Sequence, residues 1–317
     1  MYQEKTVAVL IPAYNEEKLI RQVMETLPDW VDHIVVVDDR SRDKTVEKIR
    51  EFMAEDSRVQ LIEHEKNTGV GGALETGYRA CREAGYDITV VMNGDAQMHP
   101  DDLPAIVKPL AEGRADYAKG NRLLHGEAWR IIPRVRYLGN AVLSLLTKIA
   151  SGYWHVADSQ CGFTAINKEA LAVLDIDPLF PRYGVPNDIL VKLNIESMRV
   201  KDVPIRPVYG VGEKSKMKIS KVIPDISMLL LRLFIRRLVS KYVIRDFHPL
   251  VFFYVFGLLT FPPGFASGLY YFFYRLFIGK VTPVTALFAA FLTLMGLMFL
   301  LFAMMFDMEQ NRNLKGD

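Results

Sequence analysis

The chain has 317 residues, enough for one large domain or two smaller ones. Its 39 basic and 37 acidic side chains leave a net charge of +2, so the composition lacks the strongly basic character of many nucleic-acid-binding proteins. The cysteines are Cys81 and Cys161, which excludes a disulfide framework in a chain of this length and favours two reduced, buried thiols.

The first half of the sequence alternates between short apolar runs and helical patterns. Such alternation with short connections predicts βαβ units, right-handed crossovers and a mostly parallel sheet, which is an α/β fold. The predicted strands are 7–11, 34–37, 59–62, 88–92 and 117–119. The predicted helices are 18–27, 44–52, 71–84, 103–112 and 130–149. A last strand or edge hairpin over 200–209 is kept from the sheet centre by Pro204 and Pro207.

Polar residues follow the first predicted strand in IPAYNEE, at 11–17, where the next helix begins. Tyr14 is placed to stack on a base or to hydrogen-bond with it, and the N–H groups at a helix start suit an anion. Glu16 and Glu17 are equally typical of the first turn of any helix. The segment is a candidate nucleotide contact whose acidic pair also has an ordinary structural explanation.

The second predicted strand ends in two carboxylates, Asp38 and Asp39, within VVVDDRSRDKT. Carboxylates at a strand end can accept hydrogen bonds from a ribose hydroxyl or a base N–H, and we assign that role to Asp39. Asp43 is a typical N-cap for the helix that follows. The next such connection, NTGVGGA at 67–73, is rich in glycine, which permits a sharp turn or the close approach of a ligand. It matches neither G-x-x-x-x-G-K-[ST] nor G-x-G-x-x-G, which argues against a P-loop NTPase and a dinucleotide dehydrogenase.

The fourth predicted strand breaks off abruptly in ITVVMNGDAQMHP, at 88–100. A buried parallel strand has this pattern, and open α/β sheets bind ligands at the carboxyl ends of such strands. Asp95 and Gln97 lie two residues apart, so a tight turn can aim both oxygens at one point. Mg²⁺ takes few protein ligands and completes its shell with water and phosphate oxygens. The pattern indicates a site for a metal-bound diphosphate; alternatively, Asp95 belongs to an ordinary turn.

Apolar residues concentrate in the last quarter of the chain. The stretch 223–245 mixes apolar and basic residues, which is typical of an interfacial amphipathic helix or, alternatively, of a domain-packing helix with a solvated basic face. Residues 249–274 and 281–306 carry no charge, and each is longer than the roughly 20 residues that cross a bilayer. We expect a transmembrane hairpin, the alternative being two buried helices of a soluble core. Both ends are predicted to be cytosolic, since the preceding basic residues outnumber Arg275 and Lys280 in the turn.

Taken in order, the motifs IPAYNEE, VVVDDRSRDKT, NTGVGGAL and NGDAQMHP resemble the family 2 glycosyltransferases of the GT-A fold. The motifs GNR at 120–122, DSQCGF at 158–163 and GEKSK at 212–216 resemble the branch that loads sugars onto polyprenyl phosphates, similar to dolichyl-phosphate mannose synthase. The resemblance covers about residues 5–220, and the terminal pair of spans is similar to relatives that carry a two-helix hairpin.

The resemblance implies an inverting transfer of one sugar from a nucleotide-sugar to a polyprenyl (dolichyl-type) phosphate at the cytosolic membrane face. The nucleotide contacts that it implies are Pro12, Tyr14, Glu16, Asp38, Asp39, Gly69, Asn93 and Gly94. The residues that it implies for Mg²⁺ or Mn²⁺ are Asp95 and Gln97. Its implied clamp for the acceptor phosphate is Arg122, Arg136, Lys214 and Lys216. The residues expected to carry catalysis are Asp95, Arg122 and Asp158, where Asp158 would orient the sugar or the arginines.

One departure from the family pattern concerns the metal: the family usually has Asp where this chain has Asn93. We expect a weaker charge balance at the metal rather than a dead site. The acceptor assignment has separate physical support, because a phosphate monoester carries about −1.5 to −2 charge near pH 7 and needs cations to approach a diphosphate. Arginine suits this role because its planar fork holds phosphate at two points. For the individual lysines, contact with anionic headgroups is the alternative.

Other functions remain open on the sequence. A hydroxyl acceptor would need a general base, for which Asp158 and Asp188 are the candidates. A catalytically silent membrane scaffold that keeps the nucleotide fold is favoured by Asn93 alone. Asn187 and Asp188 form a helix cap or, alternatively, contact the sugar. UDP and GDP donors are both open, with UDP favoured because SQCGF is similar to glucose and hexosamine relatives.

The domain organisation that we expect has three parts. Residues 1–220 form the GT-A catalytic domain, 221–247 an amphipathic juxtamembrane helix, and 248–317 the transmembrane hairpin with a short cytosolic tail. The expected partners are a nucleotide-sugar, a polyprenyl phosphate and the membrane, without nucleic acid, and a homo-oligomer is left open. The N-terminal apolar run is too short for a secretory signal, so the catalytic domain is expected to stay in the cytosol.

Overall fold

The computed structural model describes residues 1–124, 126, 134–182, 184–208 and 219–316, with the backbone alone described at 135–137 and 219–224. Contacts divide the chain into two compact units. The first comprises residues 1–234 together with 313–317, and the second comprises residues 235–312.

Seven strands of the described chain form one sheet in the first unit. They are β1 Val7–Ala13, β2 His33–Asp38, β3 Val59–Glu63, β4 Ile88–Val91, β5 Tyr117–Asn121, β6 Thr164–Asn167 and β7 Val200–Pro204. The α-helices of this unit are α1 Ile20–Glu25, α2 Thr45–Glu55, α3 Gly69–Ala84, α4 Leu103–Ala111, α5 Arg134–Ser151, α6 Lys168–Val173 and α7 Val185–Ile195. Helix α8, Ile219–Val239, contains the boundary between the units. Short 3₁₀ helices lie at Pro100–Asp102 and Arg312–Leu314.

The strand order in the sheet is β3-β2-β1-β4-β6-β5-β7. β3, β2, β1 and β4 run parallel, with Ala13 opposite Asp38 at the carboxyl ends of β1 and β2. β6 is antiparallel to β4 and β5, and β5 pairs in parallel with the edge strand β7. The predicted mostly parallel α/β sheet is confirmed, and β7, which ends at Pro204, lies at an edge as predicted. β6 was not predicted, because a four-residue strand containing Thr164 and Asn167 has little apolar signal.

The core has a layer on each face of the sheet, which explains why the central strands read as continuous apolar runs. On β1, Val7 and Val9 point to the layer that contains α1 and α4, where Ile106 is fully buried. Leu10 points to the opposite layer, where it packs with Tyr78 of α3. Side chains of a strand alternate between faces, so both layers depend on the same seven residues of β1.

The second unit contains the two longest helices, α9 Leu250–Phe277 and α10 Pro283–Gln310. Both are long and apolar enough to cross a membrane, and most of their apolar side chains are exposed. They pack as an antiparallel pair at glycines: a Cβ on Gly264 would lie 2.6 Å from the Thr293 nitrogen, and one on Gly296 would lie 2.3 Å from the Phe261 nitrogen. Close helix contact at small residues is typical of membrane helices. The two apolar helices predicted from the sequence are confirmed.

A buried charged cluster ties the second unit together. Arg237 and Asp307 are both fully buried and form a bidentate pair, at 2.7 and 3.0 Å. The Tyr242 hydroxyl, in a π-helical turn at Ser240–Arg245, also donates to Asp307 at 2.7 Å. Arg237 lies within the predicted amphipathic stretch 223–245, but the structure buries its side chain. It is therefore a partner of α10 rather than a group that meets lipid headgroups.

Candidate functional site

A cavity of about 560 Å³ opens at the carboxyl ends of β1, β2 and β4 in the first unit. This is the edge where open α/β sheets bind ligands. Its described lining is Pro12, Ala13, Tyr14, Glu16, Asp39, Asn67, Gly69, Val70, Ala73, Leu74, Val91, Asn93, Gly94, Asp95, Gln160, Gly162, Arg182, Val185 and Pro186. A larger groove of about 760 Å³ runs along α9 and α10, but its described lining is apolar apart from a few groups such as Arg275 and contains no carboxylate or histidine. The chemistry therefore belongs to the smaller cavity.

Asp39, just after β2, organises the wall of the cavity. Its carboxylate accepts hydrogen bonds from the backbone N–H groups of Thr68 and Gly69, both at 2.7 Å, and from the Thr68 hydroxyl at 3.0 Å. The His64 ring lies 3.0 Å from the same carboxylate, and the Asn67 side chain donates to the Asp39 carbonyl at 2.9 Å. The N-terminus of α3 is thus occupied by a carboxylate of the chain itself. Asp39 lines the cavity as expected, and its carboxylate stabilises the glycine-rich turn through these hydrogen bonds.

The glycines of this turn are required by a second piece of the chain that crosses it. A Cβ on Gly71 would lie 2.0 Å from the carbonyl oxygen of Phe180, and one on Gly69 would lie 2.2 Å from that of Pro181. The Gly71 N–H donates to the Pro181 carbonyl at 3.2 Å. Gly69 also has a φ of +80°, which favours glycine. The close approach expected from the sequence therefore exists, but the approaching group is the backbone at 180–181.

Asp95 lies on a tight turn after β4. Its carboxylate accepts from the Gln97 N–H at 3.1 Å, and Ala96 between them has a φ of +55°, a strained value for a residue with a side chain. Asn93 and Asp95 line the cavity, whereas Gln97 is not part of the lining. No cluster of three His, Cys, Asp or Glu side chains occurs among the described residues, so a closed protein cage for a metal is not formed there. One carboxylate with neighbouring amide oxygens does fit Mg²⁺ or Mn²⁺, which share their shell with phosphate and water.

Arg122, just after β5, is held by Asp158. The guanidinium donates to both carboxylate oxygens, at 2.8 and 3.1 Å, and the Arg122 backbone N–H adds a third contact at 3.2 Å. Asp158 is fully buried. Burial is the largest single influence on Asp158 and by itself would raise its pKa. The charge and hydrogen bonds of Arg122, together with the nearby Lys119 charge, outweigh burial, so the pKa lies below its ordinary value. An ionised carboxylate with both oxygens engaged is a poor general base and a good holder of an arginine.

Asn187 and Asp188, at the start of α7, are buried and bonded within the protein. Asn187 accepts from the Thr147 hydroxyl at 2.9 Å and from the Gln160 amide at 3.1 Å. Asp188 accepts from the Phe180 N–H at 3.0 Å and pairs with Lys192 at 3.2 Å. Asp188 therefore fixes the segment that crosses α3, and a carboxylate already engaged by an N–H and an ammonium group is a poor general base. The sugar contact of this pair stays a prediction.

The structure gathers most of the predicted nucleotide residues and separates others. The members that line the cavity are Pro12, Tyr14, Glu16, Asp39, Gly69, Asn93, Gly94 and Asp95. Those outside its lining are Asp38, Gln97, Arg122 and Asp158. The side chains of Arg136, Lys214 and Lys216 lie outside the described residues. Asp38 is buried, and one of its carboxylate oxygens accepts from the Ser41 N–H at 2.9 Å.

Several lining residues were not predicted, among them Gln160, Arg182 and Pro186. Gln160 lies within the DSQCGF motif, so its position was available from the sequence, although its role was not assigned. Arg182 and Pro186 come from the segment before and at the start of α7, where turn residues such as Pro181, Gly184 and Pro186 are the local signal. Such a signal predicts a turn and says nothing of what the turn lies against.

The fold, the cavity at the strand ends and the order of the motifs agree with one family. Residues 8–174 match the model of glycosyl transferase family 2, and the chain belongs to that family. It is similar to the UDP-N-acetylglucosamine–dolichyl-phosphate N-acetylglucosaminyltransferase of Methanococcus voltae, with 34% identity over 219 residues, 65% of this chain and 87% of the relative. It is also similar to the undecaprenyl-phosphate mannosyltransferase of Micrococcus luteus, with 30% identity over 214 residues, 67% of this chain and 87% of the relative.

A solved structure shares the fold. Glucosyl-3-phosphoglycerate synthase from Mycobacterium tuberculosis, crystallised with Mn²⁺, uridine-diphosphate-glucose and phosphoglyceric acid, superposes with a TM-score of 0.52. The match covers 74% of this chain and 80% of that chain at 23% sequence identity. The GT-A fold predicted for the catalytic domain is confirmed.

Proposed function

We propose that this glycosyltransferase transfers one sugar from a nucleotide-sugar to a polyprenyl phosphate at a membrane surface, with inversion at the anomeric carbon. The observation that carries the proposal is the cavity at the ends of β1, β2 and β4 with Asp95 on its wall. The two base candidates for a hydroxyl acceptor, Asp158 and Asp188, are both held in ion pairs within the protein. Two relatives of high coverage support it, since both are named for transfer to a polyprenyl-type phosphate.

The proposed reaction is a single displacement. An oxygen of the acceptor phosphate attacks the anomeric carbon, and the bond from that carbon to the donor diphosphate breaks. The electron pair leaves with the nucleoside diphosphate. A phosphate oxygen is already a nucleophile near pH 7, so no side chain has to remove a proton from it. A divalent cation, where bound, supplies positive charge to the leaving diphosphate.

The chain's own residues would bind and orient the two substrates. Tyr14, Glu16 and Asp95 all line the cavity. Tyr14 and Glu16 are proposed to contact the nucleoside, and Asp95 is proposed to hold a divalent cation together with amide oxygens. Arg122 is the proposed ligand of the acceptor phosphate. Asp158 fixes the orientation of that guanidinium, because a bidentate carboxylate restrains both its position and its plane. Arg136, Lys214 and Lys216 are proposed to complete the acceptor clamp.

Association with a membrane is proposed to rest on two kinds of surface. The hairpin α9–α10 is long and apolar enough to span, and residues 248–317 are proposed as the anchor with both ends in the cytosol. In the first unit, α5 exposes Leu138, Val142 and Leu145 on one face while Ser144 and Thr147 face inward. An exposed apolar stripe on a helix with basic neighbours is typical of interfacial contact. The catalytic domain is proposed to be 1–220 and the juxtamembrane helix 221–247.

The proposed donor is a UDP-sugar, with UDP-N-acetylglucosamine as the first to test. The support is the name of the Methanococcus voltae relative, together with the likeness of SQCGF to glucose and hexosamine relatives. GDP-mannose is the comparison donor, because the Micrococcus luteus relative is a mannosyltransferase.

The test is a transfer assay with the purified full chain in detergent, a polyprenyl phosphate and radiolabelled UDP- and GDP-sugars, with Mg²⁺ or Mn²⁺. We expect a labelled, chloroform-soluble product that disappears with a chelator and is at least roughly tenfold slower for Arg122→Gln, which loses a charged phosphate contact. Arg50→Gln is the matched control, since Arg50 is exposed, pairs with Glu63 at the surface and is not part of the cavity lining. Transfer to a polyprenol but not to its phosphate would refute the proposed acceptor.

A further inference from the structure

Arg182 stands out in the cavity because it is the only lysine or arginine among the described lining residues, which include the carboxylates Glu16, Asp39 and Asp95. Its guanidinium makes no hydrogen bond or ion pair to another residue in the part of the chain that the structure describes. A nucleoside diphosphate adds further negative charge to this already acidic wall. A cation beside it would offset that repulsion, and arginine also holds phosphate oxygens in a bidentate fashion.

Backbone N–H groups at a helix N-terminus also bind phosphate in α/β folds, but three of those at the start of α3 already have partners. Helix N-termini attract phosphates through N–H groups that lack partners. At the start of α3 the N–H groups of Thr68 and Gly69 donate to Asp39, and that of Gly71 donates to Pro181. These three N–H groups of the glycine-rich turn are therefore already used, which favours a side chain or a bound cation as the source of positive charge for a diphosphate.

The backbone that carries Arg182 is fixed from three sides. Lys192 donates to the Pro178 carbonyl at 2.8 Å, and Asp188 accepts from the Phe180 N–H at 3.0 Å. The Pro181 carbonyl accepts from Gly71. The side chain then runs over the glycine-rich turn, where a Cβ on Gly69 would lie 4.0 Å from the Arg182 Cγ. Because the backbone is already held, only the side-chain torsions of Arg182 have to be ordered when it binds a ligand.

We infer that Arg182 binds the diphosphate of the donor and that Asp188, through the segment 178–181, is the residue that positions it. The inference rests on the proposed function and adds a ligand to it that the sequence motifs did not identify. Arg182 is distinct from Arg122, which is proposed to hold the acceptor phosphate.

The experiment compares UDP with uridine, titrated calorimetrically into the full chain in detergent with Mn²⁺. For Arg182→Gln we expect the affinity for UDP to fall roughly 10- to 100-fold, as for the loss of a charged hydrogen bond, and the affinity for uridine to stay unchanged. Arg182→Lys keeps the charge but loses the planar fork, so its affinity for UDP should lie between those of the wild type and Arg182→Gln. Asp188→Ala should also lower the affinity for UDP and leave the affinity for uridine unchanged. Arg50→Gln should bind both as the wild type does.

Four results would overturn the inference or the proposed function on which it rests. Equal loss of UDP and uridine by Arg182→Gln would show a general disturbance of the cavity. Unchanged UDP affinity with a raised KM for the polyprenyl phosphate would assign Arg182 to the acceptor instead. A wild-type chain that binds neither UDP nor GDP would refute the proposed function itself, whereas UDP binding by the wild type and equally by Arg182→Gln would refute this inference alone.

Discussion

The substitution Gly71→Ala tests whether the crossing of residues 180–181 over α3 is as tight as the structure shows. The new Cβ would lie 2.0 Å from the Phe180 carbonyl oxygen, so that this backbone must retreat by about 1.4 Å to reach the 3.4 Å of an ordinary contact. Overpacking of this kind costs about 1–3 kcal/mol, and loss of the Gly71–Pro181 hydrogen bond costs about 1 kcal/mol more. Alanine has a higher helix propensity than glycine, which offsets about 0.5–1 kcal/mol of this destabilisation. The net destabilisation is about 1–3 kcal/mol.

The assay is thermal unfolding of the full chain in detergent, followed by intrinsic fluorescence, with and without UDP and Mn²⁺. One kcal/mol shifts the Tm of a domain of this size by about 2–4 °C, so Gly71→Ala should unfold about 2–12 °C below the wild type. It should also gain less from UDP, since the displaced segment carries Arg182. Gly139→Ala is the control, because a Cβ there meets no atom within 4 Å. A Gly71→Ala protein as stable as Gly139→Ala, with the same response to UDP, would refute the reasoning.

The remaining predictions concern charge. Burial raises the pKa of Asp202 to about 6 from an ordinary value of 3.8, so the folded chain keeps a proton that the unfolded chain has lost between those values. The contribution of Asp202 to stability should therefore fall by about 3 kcal/mol as pH rises from about 4 to 6, and Asp202→Asn should remove that contribution from the pH profile of the Tm. Parallel pH profiles of the two proteins would contradict this prediction. Asp307→Ala strands the buried Arg237 and should cost about 3–5 kcal/mol, whereas the double variant Asp307→Leu with Arg237→Met should recover much of the Tm. Asp95→Asn should abolish the gain in UDP affinity that Mn²⁺ gives to the wild type while leaving the metal-free affinity within about twofold, by calorimetry; an undiminished Mn²⁺ effect would place the metal elsewhere.

The sheet was predictable wherever strands are buried on both faces. β1, β2 and β4 are continuous apolar runs, and the polar residues that follow them mark the ligand edge. Tyr14, Glu16 and Asp95 could therefore be placed in one site from the sequence. β6 could not be predicted, because it joins the sheet antiparallel between β4 and β5 and is not part of a βαβ unit.

The parts of the site that the sequence did not reveal depend on contacts between distant segments. Gly69 and Gly71 signal a close approach, yet only the fold shows that the backbone at 180–181 is what approaches. Arg182 is brought to the cavity by that crossing. Asp39 and Asp188 are carboxylates of the same kind as Asp95, and nothing local distinguishes a side chain that satisfies backbone N–H groups from one that faces a ligand.

The hydrogen bonds of Asp39 have a consequence for how quickly a nucleotide can be captured. Ordering a backbone residue costs roughly 1–2 kcal/mol, and for Thr68 and Gly69 that cost is met when the chain folds rather than when the ligand arrives. Because this wall of the cavity is already ordered, nucleotide binding needs no rearrangement of the turn. Association of the nucleotide should then follow a single exponential whose rate rises linearly with nucleotide concentration, without the plateau that a slow rearrangement of the turn would impose.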